Sequence, residues 1–220
     1  MSFQIAIDGP AGAGKSTIAR KVAKEKGFIY VDTGAMYRAM AYYLLCQGVS
    51  PNDDEEIGRK CSAADITICY EKGEQIVLLN GKNVNDVIRT EEVSRMASMS
   101  SKHPQVRKRL TQLQKELART SDVVMDGRDI GTCVLPDADV KVYLTASVEV
   151  RAKRRYDELT AKHVVCDLGQ IAEDIAQRDE QDMTRDIAPL KQAKDAVLVD
   201  SSHMTIDEVA KKILDLCEAL

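Results

Sequence analysis

The chain has 220 residues, enough for one domain with a sizeable core or for a core carrying a smaller lobe. Its 44% apolar and 30% charged residues exclude a disordered chain, and a net charge of −4 with two Phe and no Trp excludes a general nucleic-acid binder working by charge and stacking. Six scattered cysteines without a C-x-x-C pair point to free thiols in a reducing compartment rather than to disulfides or zinc.

Phe3 to Asp8 is a short apolar run that reads as a buried parallel strand, and Asp8 interrupts it too early for a secretory leader. Lys15 to Lys26 follows at helical spacing, with Gly27 at the C-terminal cap position. Phe28 to Asp32 reads as a second strand. Thr33 is expected to cap a helix that runs to Gln47 and stops at Gly48. That helix holds the longest apolar run, Ala39 to Cys46, far too short to span a bilayer. Asn52 and the acidic stretch Asp53 to Glu56 make a helix start.

The period then changes. Ile66 to Glu71 and Gln75 to Leu79 read as strands separated by Lys72-Gly73-Glu74, and Asn80-Gly81 is a hairpin signal before Val84. Thr90 to Ser101 returns to helix, and a longer helix begins near Pro104 with Val106, Leu110, Leu113 and Leu117 on one face. Val123 to Asp126 and Val140 to Thr145 are buried-strand candidates. Ser147 caps a basic helix to about His163, and Asp167 caps another to about Thr184. Val197 to Asp200 is a last strand, followed by the capping box Thr205-Ile-Asp-Glu208. The alternation predicts an α/β fold: a central five-stranded parallel sheet flanked by helices, with a small inserted antiparallel β-lobe.

Gly9-Pro10-Ala11-Gly12-Ala13-Gly14-Lys15-Ser16 matches G-x-x-x-x-G-K-[ST] between a strand and a helix. Glycines let main-chain N–H groups converge on phosphate oxygens, the helix N-terminus adds its dipole, Lys15 reaches the β- and γ-phosphates, and the Ser16 hydroxyl is a magnesium ligand. Thr17 either touches phosphate or is a plain helix-start hydroxyl. ATP with Mg²⁺ is therefore the expected donor.

A second anion site is expected from arginines near strand ends, where ligands of parallel sheets bind. Thr33 and Arg38 follow the second strand. Asp126-Gly127-Arg128-Asp129 follows the third. Asp126 could order a magnesium water or serve only as a cap. Arg178, Asp182 and Arg185, at i, i+4 and i+7, share one helix face as either a ligand stripe or a solvated ladder. Arg151, Arg154 and Arg155 are either lid groups for the transferring phosphate or an exposed basic face.

Together, IAIDGPAGAGKST (5–17), VDTGAMYR (31–38), IRTEEV (88–93), DGRDIGT (126–132), RDEQDMTRDIAPL (178–190) and LVDSS (198–202) resemble the bacterial cytidylate kinases, within the nucleoside monophosphate kinases. The pieces span nearly the whole chain in consistent order. The resemblance implies a P-loop kinase with a helical lid that phosphorylates CMP, and dCMP with it. It implies an acceptor-phosphate clamp of Thr33, Arg38, Arg128 and Arg185, cytosine readers Arg107 and Asp129, and a ribose group of Ser98, Arg178 and Asp182. Lys15, Arg128, Arg185, Arg151 and Arg155 are the expected catalytic charges. The expected division is a core of 1–35, 105–150 and 186–220, an acceptor region at about 36–104 and a lid at about 151–170, in a cytoplasmic monomer. The alternative is a P-loop kinase for another small acceptor, such as UMP, dTMP or a shikimate-like molecule. A GTPase-like switch would need N-K-x-D and D-x-x-G, and neither occurs.

Overall fold

A computed structural model describes residues 2–71 and 73–219. Lys72, in the expected turn, lies outside the described residues. The chain divides into two compact units: one holds Ile29–Ser121 with Ser2, the other Phe3–Phe28 and Asp122 onward.

The second unit carries β1 (Gln4–Asp8), α1 (Lys15–Lys26), β6 (Val123–Gly127), β7 (Val140–Thr145), α6 (Val148–Ala161), α7 (Leu168–Thr184), β8 (Val197–Asp200) and α8 (Ile206–Glu218). The first carries β2 (Ile29–Asp32), α2 (Thr33–Cys46), α3 (Asp54–Cys61), β3 (Ile66–Glu71), β4 (Glu74–Leu79), β5 (Lys82–Asn83), α4 (Glu91–Ser100) and α5 (Pro104–Thr120). The parallel sheet has five strands, as expected; within the second unit their order is β6-β1-β7-β8. A three-stranded antiparallel sheet, β3-β4-β5, is the inserted lobe.

The strands of the second unit are continuous apolar runs because helices pack on both faces. Ile5, Ile7, Val124, Met125 and Leu144 are fully buried. The register aligns Asp8 with Gly127 on one side and Tyr143 on the other, so three carboxyl strand ends share one edge. β8 is the edge strand, and Val197 and Leu198 are exposed on it. In the first unit, Met36, Met40, Leu44, Ile57, Met96 and Leu110 form the core. Each such side chain contributes about 1.5–3 kcal/mol on burial. Asn80 and Gly81 both take positive φ, 50° and 75°, the backbone a tight hairpin turn requires.

Two expectations change. Asp32, not Thr33, caps α2: its Oδ1 accepts from the Ala35 N–H at 2.9 Å, while Thr33 is the first helical residue. A carboxylate one residue ahead of the expected cap offers a charged acceptor to the orphan N–H groups. α7 ends at Thr184, so Arg185 leaves the helix in extended backbone (φ −62°, ψ 141°). It then donates from Nε to its own loop at the Ala188 carbonyl. Between β6 and β7 lies one turn of π-helix, Ile130–Val134, which the sequence did not announce.

Candidate active site

Gly9 to Gly14 forms the turn between β1 and α1, and Lys15 and Ser16 open the helix. Gly9 is obligatory there: at φ 150° a Cβ would sit 1.9 Å from the Leu144 carbonyl oxygen of the neighbouring strand. Gly12 and Gly14 also take positive φ. Lys15 is 6% exposed and donates to the Pro10 carbonyl at 2.7 Å, folding back over its own loop. Burial, and then the Arg128 guanidinium, push its ammonium down to about 7, against the pull of Asp126, Asp8 and Asp182. Ser16 Oγ donates to Asp126 Oδ2 at 3.1 Å. Of the two roles left open for Asp126, this contact joins it to the loop serine. A hydroxyl paired with a buried carboxylate is an oxygen donor set suited to Mg²⁺.

Asp8, at the end of β1, accepts the Ile130 N–H at Oδ1 (2.8 Å) and the Gly131 N–H at Oδ2 (2.7 Å). One carboxylate thus caps the π-helical turn from across the chain and fixes the backbone that carries Arg128 and Asp129. Burial pushes its carboxyl up to about 6, although both N–H bonds oppose the shift. The acidic end of the first strand was visible in the sequence, but its partner lay more than a hundred residues away.

The arginine expectation resolves in part. Arg128 donates from Nε to Asp182 Oδ2 at 2.8 Å. Arg185 lies 3.7 Å from Asp182 and 3.6 Å from Asp129. Burial works against ionisation of Asp182, but Arg128 first, then Arg185 and Arg178, hold its carboxyl below the usual range. Arg128, Asp129, Asp182 and Arg185 therefore meet in one network although Arg185 is no longer helical. Arg178 lies on α7, one turn before Asp182.

The basic helix α6 divides its arginines. Arg151 is 4% exposed and uses its whole fork inward: Nε to the Ala146 carbonyl (2.9 Å), Nη1 to the Ala11 carbonyl (3.0 Å) and Nη2 to Asp179 Oδ2 (2.6 Å). Arg155 is exposed and pairs with Glu158. Arg154 donates to the Ser201 carbonyl at 2.8 Å and lines a cavity of about 330 Å³ with Thr17, Ser201, Met204, Ile206 and Val209. That cavity has one wall made by the phosphate loop and the start of α1. Its other wall, the loop after β8, carried only the weak signal LVDSS.

In the first unit, Thr33 is buried at the start of α2 and Arg38 lies one turn further on, its Nη2 3.3 Å from Asp32 Oδ2. Ser98 sits on α4. Arg107 is buried on α5, donates to the Ser101 carbonyl at 3.1 Å, and lies with its Cζ 5.7 Å from the Tyr37 ring centre. All six cysteines are free, no group of three or more His, Cys, Asp or Glu among the described residues could hold a metal, and no helix among them is long and apolar enough to cross a membrane.

Residues 5–219 match the family model described as cytidylate kinase. Cytidylate kinase of Shouchella clausii is 50% identical over 97% of this chain and 95% of its own length. That of Bacillus subtilis is 47% identical over 98% and 96%. Among solved structures, an uncharacterised protein from Eubacterium ventriosum covers all of both chains at a TM-score of 0.58 and 11% identity, a likeness of fold alone. A gluconokinase from Sinorhizobium meliloti gives 0.50 at 12% identity, covering 99% of this chain and 93% of its own. With this agreement over nearly the whole sequence, the chain belongs to the cytidylate kinase family.

Proposed function

We infer that the chain transfers the γ-phosphoryl group of ATP to CMP, giving CDP and ADP, and takes dCMP as well. Membership of the cytidylate kinase family supports the reaction. The observation that carries its assignment to particular residues is the convergence of the loop cation Lys15, Arg128 and Asp182 on one buried charge network at the carboxyl ends of the strands.

Phosphoryl transfer needs positioning and charge neutralisation more than covalent chemistry. The amides of residues 9–17 and Lys15 hold the donor phosphates. Ser16, with Asp126 behind it, would hold Mg²⁺, which when bound neutralises charge on the β- and γ-oxygens. Arg128 and Arg185 receive the acceptor phosphate, with Thr33 and Arg38 serving the same group. Asp129 and Arg107 read the cytosine edge, a carboxylate accepting from its amino group and a guanidinium donating to its acceptors. Ser98, Arg178 and Asp182 serve the ribose. The cavity beside Arg154 suits the adenine of ATP, since a guanidinium plane can stack on a base. Arg151 acts through the Ala11 carbonyl as a positioning residue of the phosphate loop. Arg155, exposed on α6, is the arginine placed to reach the transferring group as the lid, about 151–170, closes. A CMP phosphate is largely ionised near neutral pH, its second pKa being about 6, so no general base is required. We read the enzyme as a cytoplasmic monomer.

The test is an ADP-release assay run in parallel with CMP, dCMP, UMP, AMP, GMP and dTMP, with and without Mg²⁺. CMP and dCMP should show the highest kcat/KM, and chelation should stop turnover. A higher kcat/KM for UMP or dTMP would replace the acceptor assignment.

A further inference from the structure

Arg89 has a place in the acceptor-binding unit that none of the assignments above gives it. It sits in Ile88-Arg89-Thr90, the segment that follows the inserted β-lobe. Ile88 is buried, and the Thr90 hydroxyl accepts the Val93 N–H as the cap of α4, so the backbone on both sides of Arg89 is fixed. Its side chain is 58% exposed, yet its guanidinium is aimed at Asp32: Nη2 lies 3.4 Å from Oδ2. Arg38 approaches the same oxygen at 3.3 Å.

Asp32 is occupied on every side. Its Oδ1 caps α2 through the Ala35 N–H. Its own N–H donates to Gln75 Oε1 at 2.8 Å, and its carbonyl accepts from Gln75 Nε2 at 3.3 Å, so a side chain of β4 in the lobe grips its main chain. One carboxylate oxygen is left for two guanidiniums. Both contacts are longer than the 2.7–2.9 Å of a tight charge-assisted bond. Two positive charges against one negative leave a net cation at the N-terminal end of a 14-residue helix. Arg38 Nε is buried and has no hydrogen-bond partner among the described residues. Gly34 keeps the space open, since a Cβ there would stand 3.2 Å from both Arg38 Nη1 and Asp32 Oδ1. Solvent screens the exposed guanidinium of Arg89, so its 3.4 Å contact with the buried Asp32 stabilises the fold by little, and stability leaves the aim of Arg89 unexplained.

We propose that Arg89 is a further binding residue for the phosphate of the acceptor nucleotide, acting beside Arg38, and that Asp32, gripped by Gln75 of the inserted lobe, positions both guanidiniums. The proposal rests on Arg38 serving the acceptor phosphate. It also accounts for the lobe, because Gln75 fixes the tether and the chain leaving the lobe delivers Arg89.

The experiment is steady-state kinetics of Arg89→Ala, Arg89→Lys and Arg38→Ala with CMP and ATP varied in turn, alongside inhibition by cytidine, which lacks the phosphate. Arg89→Ala should raise the KM for CMP about tenfold, the loss of one charge-assisted contact. Arg89→Lys should restore part of it. The KM for ATP, the inhibition constant of cytidine and the melting temperature should stay at wild-type values. Asp32→Asn, which keeps the helix cap, should raise the KM for CMP in the same sense. A CMP KM within twofold of wild type in Arg89→Ala overturns the proposal, as does an equal loss of cytidine binding. If Arg38→Ala also leaves CMP binding intact, the underlying reading of the acceptor site fails with it; if Arg38→Ala alone weakens CMP, only the role of Arg89 falls.

Discussion

Lys15 and the pair Arg38–Arg89 are both cations set at the start of a helix, and they are held in opposite ways. Lys15 is buried, folded onto the Pro10 carbonyl and surrounded by carboxylates of its own unit. Arg38 and Arg89 share one carboxylate oxygen at longer range, with Arg89 largely in solvent. A compact ammonium can be enclosed once its loop is fixed, and a buried point charge acts on a phosphate with little screening. A guanidinium fork keeps several donors, so it can hold a tether and still present N–H groups to a ligand. The glycine-rich loop is thus pre-formed around its lysine, whereas Arg38 and Arg89 are tethered at longer range to one shared carboxylate.

The largest effect expected on that comparison comes from Lys15→Ala. Removing a pre-organised cation from a buried site should lower kcat about 10³-fold in the ADP-release assay, and a loss under tenfold would mean the enclosed charge is not the one that matters. Asp179→Asn tests how firmly the donor loop is held. It breaks the buried pair with Arg151, so unfolding stability in urea should drop by about 3 kcal/mol. Full stability with a raised KM for ATP would instead make the pair a device of binding only. Arg185→Ala should raise the KM for CMP about a hundredfold and leave that for ATP unchanged, because it removes a largely buried cation from the acceptor side. Equal losses for both substrates would erase the distinction between the two sides.

The smallest effect is a proton. Lys15 is lowered from 10.5 to about 7, so at about pH 8 most of the free protein carries it neutral. The polyanion of ATP favours the charged form, and binding at that pH should take up close to one proton. The uptake should vanish near pH 6, where Lys15 is already charged. Calorimetry in buffers of different ionisation enthalpy measures it. The same shift sets a stability limb: between about 7 and 10.5 the unfolded chain binds the extra proton, so Lys15 contributes a rise in stability with pH across that window. Zero uptake at pH 8 would mean that the enclosed lysine stays charged without its ligand.

Much of the donor site was legible in the sequence. Glycines, a lysine and a serine at fixed spacing, and a strand before a helix are local features, and they appear where the motif places them; that Gly9 must be glycine because of the Leu144 carbonyl is a tertiary fact. The strand and helix order was legible for the same reason, through periodicity and caps. Arg185 shows the limit. Its spacing put it on a helix face, but α7 ends one residue earlier, and it reaches Asp182 and Asp129 from a loop. Arg151 shows another: the basic run read as either lid groups for a phosphate or an exposed basic face, and the structure turns this guanidinium inward to a main-chain carbonyl of the loop.

By itself the sequence determined the glycine-rich loop, the alternation that makes a parallel sheet, and the family resemblance, because each is written in short-range spacing and motif order. The tertiary structure alone decided which carboxylate serves which cation. Asp8 reaches the π-helical turn across 122 residues, Asp126 reaches Ser16 across 110, and Gln75 reaches Asp32 across 43. Such pairings depend on strand register and burial, which bring distant charges to one edge and remove the water that would otherwise keep them apart.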